Sequence, residues 1–251
     1  MISTLARRLA VGVSLVAVAT LHAEPAIIAK ARAFLGAEST LQAVNSVRYV
    51  GTLVTADPAD ATKQTRAQVE IAFQKPSQQR ITINYEKNVE QTALDGYDGW
   101  QRQQAPGDSS KWRQVLLTPE QIKRLRANTL ENLSFYRGLE RHGVAVEDQG
   151  AATIDGLACQ KISFSHAPGI VFTRYFDTAT GHLVLTETEA GGGIRESGEL
   201  TAGGIRFPQT IVTTSKTAAG LTQTVTITFE KITVNENFPA GFFSVPVLAP
   251  R

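Results

Sequence analysis

The sequence predicts a mainly β protein: one curved antiparallel sheet of about ten strands, covered by an N-terminal helix and an internal helix. Three observations predict it. Apolar residues alternate with polar ones at period two through most of the chain, the signature of strands with one wet and one covered face. Clusters of Gly, Asp, Thr and Pro interrupt these runs at roughly 8–14-residue intervals, as hairpin connections do. Only two segments follow the helical period.

The elements justify this reading in order. The first 23 residues carry Arg7 and Arg8, then the 11-residue apolar run LAVGVSLVAVA, then a small residue, Ala23, before Glu24-Pro25. That layout predicts a secretory signal peptide. The run is shorter than the about 20 apolar residues a membrane span needs. No Cys follows Ala23 to carry a lipid anchor, so the exported chain, residues 24–251, is expected as one domain free in the periplasm. Residues 25–44 place Ile27, Ile28, Ala31, Phe34 and Leu35 at helical spacing, with Gly36 as a break.

From Val47 the period becomes two. VRYVGTLVT, RAQVEIAFQK and QRITINYEK are strands, with DPADATKQ as a polar loop and Lys75-Pro76 as a turn. LDGYDGWQRQ (Leu94–Gln103) holds two Asp-Gly pairs. Asp95 and Asp98 there are better read as hairpin chemistry than as metal ligands, because Gly tolerates the positive φ of a tight turn and further oxygen ligands at calcium-loop spacing are missing. Trp100 and Trp112 fall on adjacent strands. TPEQIKRLRANTLENLSFYR reads as the internal helix over residues 118–137. Thr118 caps it, Pro119 opens it and Gln121 completes a capping box. Seven further strand segments follow from Val144, joined by IDG, HAPG, DTATG, AGGG, TAGG and TAAG.

Charge and chemistry narrow the function. Removing residues 1–23 takes away two of the 25 basic side chains and none of the 23 acidic ones, leaving them balanced. A neutral chain without basic runs is a poor partner for nucleic acid. One cysteine, Cys159, excludes an internal disulfide and reads as a small strand residue. His142, His166 and His182 lack metal-ligand spacing. GxSxG is absent, and the Gly-rich stretches lie between strands, where no helix N-terminus could cradle a phosphate. Glu187, Glu189, Glu196 and Glu199 could supply a carboxylate pair, but LTETE is more economically a wet strand face. No enzyme and no cofactor are expected.

What remains is apolar surface. Two helices cannot cover the inward face of so many strands, and uncovered apolar surface costs roughly 25 cal/mol per Å². A curved sheet with helices as a plug would instead enclose a hollow for an apolar guest. The expected lining from the early strands is Val69, Ile71, Phe73, Ile81, Ile83 and Tyr85. Trp100, Leu125, Leu133, Ile162, Phe164, Val225, Ile227 and Phe229 complete it. Acyl chains would enter between the sheet and the internal helix.

The ordered set of motifs resembles the periplasmic lipoprotein-sorting carriers of the LolA/LolB-like superfamily over about residues 26–246. The similar features are the N-terminal helix before SVRYVGTLV, the Lys75-Pro76 hairpin with Arg80, Asp95-Gly96 followed by Trp100, YFDTATGHLVLTETE, and GGIRFPQTIV with TVTITFEKITVN and FFSVP. The resemblance implies an incomplete β-barrel closed by helices. It implies non-covalent binding of lipid or lipoprotein acyl chains, passed between membrane-associated donor and acceptor proteins in outer-membrane biogenesis. The second reading is an envelope regulatory or sensor module that binds a partner protein on the same scaffold; the third is a hydrolase with a dispersed site.

Overall fold

A computed structural model describes residues 24–167 and 169–246. The predicted signal peptide, residues 1–23, lies outside the described residues. Period-two segments pair into one curved antiparallel sheet that does not close into a barrel, as the sequence led us to expect. Its first six strands form a meander: β1 (Ser46–Ala56), β2 (Gln64–Gln74), β3 (Gln78–Asn84), β4 (Val89–Asp95), β5 (Asp98–Ala105) and β6 (Asp108–Leu116). The second half runs β7 (Ala145–Ile154), β8 (Leu157–Ala167), β9 (Ile170–Asp177), β10 (Leu183–Thr188) and β11 (Gly193–Ser197). The hairpin β12 (Leu200–Ala202) and β13 (Ile205–Phe207) follows, then β14 (Thr210–Lys216) and β15 (Thr222–Val234). The order across the sheet is β6-β5-β4-β3-β2-β1-β15-β14-β11-β10-β9-β8-β7, so the long last strand joins the two halves against β1.

Thirteen strands in the main sheet exceed the expected ten or so. In addition, two apparent strands are each split. IRESGEL breaks at Gly198, which takes φ +65°, and GIRFPQTIV breaks at Pro208, which has no N–H to give a ladder. The pieces between them pair as β12–β13, outside the sheet.

Helical period appears where predicted. α1 (Ala26–Leu35) and α2 (Glu38–Gln42) are separated at Gly36, whose extended backbone bridges to Ile205; a Cβ there would meet Gly204 O at 2.8 Å. α3 (Pro119–Ser134) has the full Thr118–Gln121 capping box. It ends three residues earlier than expected, because Phe135 and Tyr136 both adopt left-handed φ (49° and 69°). A short 3₁₀ turn, Leu139–His142, follows.

Strand parity assigns the two faces. Tyr49, Ile71, Phe73, Ile81 and Phe229 face inward, toward the helices. α3 lies across the inner face of β2 to β5. α1 covers the second half, where Ile28 and Ala31 join a core of Ile162, Phe164, Phe172 and Phe176. A second core under α2 gathers Leu41, Val44, Tyr49, Phe73, Phe135, Phe207 and Phe229.

Trp100 corrects the expected lining. It is only 1% exposed but has the parity of Arg80 and Ala93, which puts it on the outer face. There the C-terminal segment straps the sheet. Trp100 Nε1 donates to Phe243 O at 3.0 Å, Arg80 donates to Phe242 O at 2.9 Å, and Ser244 Oγ donates to Asp95 at 2.6 Å. Phe238, Phe242 and Phe243 cluster with ring centroids 4.7–5.2 Å apart. Asp95 is therefore an anchor for this strap and for Gln78. Gly96 supplies the positive φ of the two-residue turn. Trp112 sits four residues out of step with Trp100, opposite Gln104.

Candidate functional site

Between the inner face and the helices lies a cavity of about 250 Å³. This is just under the ~300–1,000 Å³ span of small-molecule sites. Its apolar wall comes from β1 to β3 (Tyr49, Ile71, Phe73, Ile81), from Phe229 of β15 and from Ile211 and Ile194. Phe135 and Tyr136 form its helix side. Their left-handed backbone turns the chain abruptly after α3 and drops two aromatic rings inward. Phe207 of the β12–β13 hairpin packs edge-on against Tyr49, with centroids 5.8 Å apart.

One part of the wall is charged. Phe172, Arg174 and Phe176 alternate along β9, so the guanidinium points to the helix side. It pairs with Glu131 of α3 and stacks near the rings of Tyr136 and Phe164, 4.9 Å from each centroid. The other Glu131 oxygen meets His166 Nε2 at 2.5 Å. Burial alone would raise the Glu131 carboxyl, but the charge of Arg174 and the bonds from His166 and Arg174 hold it below the ordinary carboxylate range. Glu196 of β11 also borders the cavity, and burial pushes it up to about 7 against the pull of Arg174. Burial likewise raises the hydroxyls of Tyr49 and Tyr136.

A smaller space of about 60 Å³ lies at the seam between α1 and the β12–β13 hairpin. Leu35, Tyr136, Leu183, Glu196, Arg206 and Phe207 border both spaces, so the seam adjoins the hollow across these side chains. Arg206 stacks on Phe34 at 5.3 Å and lies 3.7 Å from Glu199.

Of the residues expected to line a hollow, Ile71, Phe73, Ile81 and Phe229 border this one. Val69, Ile83, Val225 and Ile227 share their face but lie farther along the strands, outside the wall. Tyr85 is half-buried just beyond β3. Leu125 is half-buried on α3, and Leu133 is buried in the core under α2. Ile162 and Phe164 are fully buried beneath α1. Sequence reasoning missed Glu131, Arg174, Phe135, Tyr136 and Phe207. A signal existed for Arg174: a cation at the inward parity of a strand reading Phe-x-Arg-x-Phe.

Of the four carboxylates considered for catalysis, Glu196 and Glu199 both border the seam space, while Glu187 and Glu189 do not. Glu187 accepts from Tyr175 Oη at 2.7 Å, Glu189 pairs with Arg124, and Glu199 lies near Arg206. Among the described residues no group of His, Cys, Asp and Glu could hold a metal ion, and no helix is long and apolar enough to cross a membrane. Cys159 is buried on the outer face with Tyr175 and Leu185, and burial raises its thiol.

No protein-family model matches the chain, and no curated protein matches it. Solved structures do match. A domain from Vibrio parahaemolyticus named for outer membrane lipoprotein sorting has a TM-score of 0.55 at 8% identity, over 87% of this chain and 94% of that one. A LolA superfamily protein from Nitrosomonas europaea has 0.54 at 11% identity, over 84% and 98%. A DUF1329 family protein from Desulfovibrio piger has 0.54 at 10% identity, over 87% and 96%. At such identities the likeness is one of architecture, and the chain has the LolA/LolB-like fold.

Proposed function

We propose that this protein is an exported, non-enzymatic carrier that holds the acyl chains of a lipid or lipoprotein in the hollow between sheet and helices. The observation that carries the reading is the cavity itself: tyrosine, phenylalanine and isoleucine side chains from β1, β2, β3 and β15 face a space that the helices leave unfilled. The likeness in fold to the domain named for outer membrane lipoprotein sorting and to the LolA superfamily protein supports the same reading. Export rests on the leader-like residues 1–23, and hand-over between membrane-associated donor and acceptor proteins follows from a carrier's task.

Entry by displacement of α3 would break many ties. Asn128 and Thr129 bond Gln79, Arg126 bonds Gly96 O, and Glu131 pairs with Arg174. Arg32 of α1 bonds the carbonyls of Ser134 and Phe135. We therefore place entry at the seam between α1 and β12–β13. Mass spectrometry of organic extracts from the purified protein tests the carrier reading, with co-purifying acyl lipid as the expected result. Ile71→Glu puts a charge in the apolar wall and should abolish lipid uptake in a protein that keeps its fold. Full uptake by that variant would sink the assignment.

A further inference from the structure

Glu196 accepts no hydrogen bond and makes no ion pair among the described residues, yet it borders both the hollow and the seam. Every other charge at the hollow has a partner. Arg174 is taken by Glu131, whose second oxygen is taken by His166. Arg206, at the mouth, lies between Phe34 and Glu199. The remaining groups that act on Glu196 are the neutral hydroxyls of Tyr49 and Tyr136. Among the charged groups that border the hollow, Glu131, Arg174, Glu196 and Arg206, Glu196 is thus the one without a hydrogen-bond or ion-pair partner among the described residues, and it borders the seam as well.

Glu196 is half-buried, and a carboxylate held there without a partner is less stable than one that is paired or neutralised. An anionic head entering here would meet a like charge, while a cationic one would pair with it. Resting on the carrier reading, we propose that the site takes an amphiphile with a cationic, hydrogen-bond-donating head. Its chain lies along Ile71, Phe73 and Ile81, and its ammonium group sits on Glu196 at the junction of hollow and seam. Such a head also stays near the exit, within reach of an acceptor.

Calorimetric titration of the purified protein with decylamine, decanol and decanoate separates the cases, because the three share a chain and differ in head charge. At about pH 8, where Glu196 is ionised, decylamine should bind about tenfold or more tighter than decanol, and decanoate weakest. Glu196→Gln keeps the shape of the side chain. It should bring decylamine down to the decanol value while leaving decanol within about twofold. Equal affinities for the three probes, a preference for decanoate, or an amine preference that survives in E196Q would overturn this inference alone. Failure of all three to bind would overturn the carrier reading together with it.

Discussion

At the scale of single residues, the charged wall has consequences that a purely apolar pocket would not. Glu131 is 3% exposed and Arg174 9%, so neither has bulk water to fall back on. Removing one partner leaves the other uncompensated, which typically costs about 3–5 kcal/mol, while replacing both with apolar groups of similar volume can be neutral. Arg174→Leu should therefore lower the urea midpoint sharply, and Arg174→Leu with Glu131→Leu should recover most of the loss; a double variant as unstable as the single would refute the pairing argument. Glu196 works in the opposite sense. Its carboxyl rises from the ordinary 4.5 to about 7 on folding, so the folded state binds the extra proton between these values. Stability contributed by that proton is present at low pH and is lost as pH rises through the window. Glu196→Gln should flatten the dependence of stability on pH there, and should stabilise the protein above about pH 7 by up to ~3 kcal/mol, read from denaturant unfolding at several pH values. Glu131 has the usual carboxylate sign: its contribution holds at neutral pH and fades only as pH falls through its lowered value.

Among the elements, the β1–β15 pair matters most because it joins the two halves of the sheet. Its register shifts between Val50 and Gly51, and Gly51 lies so close to the partner strand that a Cβ would meet Thr228 O at 2.2 Å. Backbone cannot yield as a flexible side chain does. Gly51→Ala should cost about 1–3 kcal/mol by urea unfolding, although alanine suits a strand better than glycine. α3 depends on its start as well as its packing. Thr118→Ala removes the side-chain acceptor for Gln121 N and should cost about 1 kcal/mol, with α3 amides showing faster hydrogen exchange. Phe135 and Tyr136 set where α3 stops. The sequence around them continues the helical pattern, so only their place as inward rings explains the early end.

For the whole molecule, the two faces have separate tasks. The inner face encloses the hollow, and the outer face is closed over Trp100 by Phe238, Phe242 and Phe243. Deleting the chain from Phe238 onward should lower thermal stability and shift Trp fluorescence to the red, while leaving the acyl-binding hollow intact. Loss of binding in a folded truncation would show that the faces are coupled. The strand segments, the Gly36 break, the Thr118 cap and the Asp95-Gly96 turn were all legible because each is a local effect: side-chain parity, a missing Cβ or a nearby backbone donor fixes it within a few residues. Ile71, Phe73, Ile81 and Phe229 were legible as one-face apolar residues for the same reason. Parity alone does not say which face is inner; for Trp100 that is decided by the C-terminal strap on its side of the sheet and by α3 on the other. Nor could parity show that Glu131, Arg174 and Glu196, from a helix and two distant strands, share one hollow. That meeting depends on how far thirteen strands curve and where the helices rest, and the free energy of curvature and packing is spread over contacts between residues far apart in the chain.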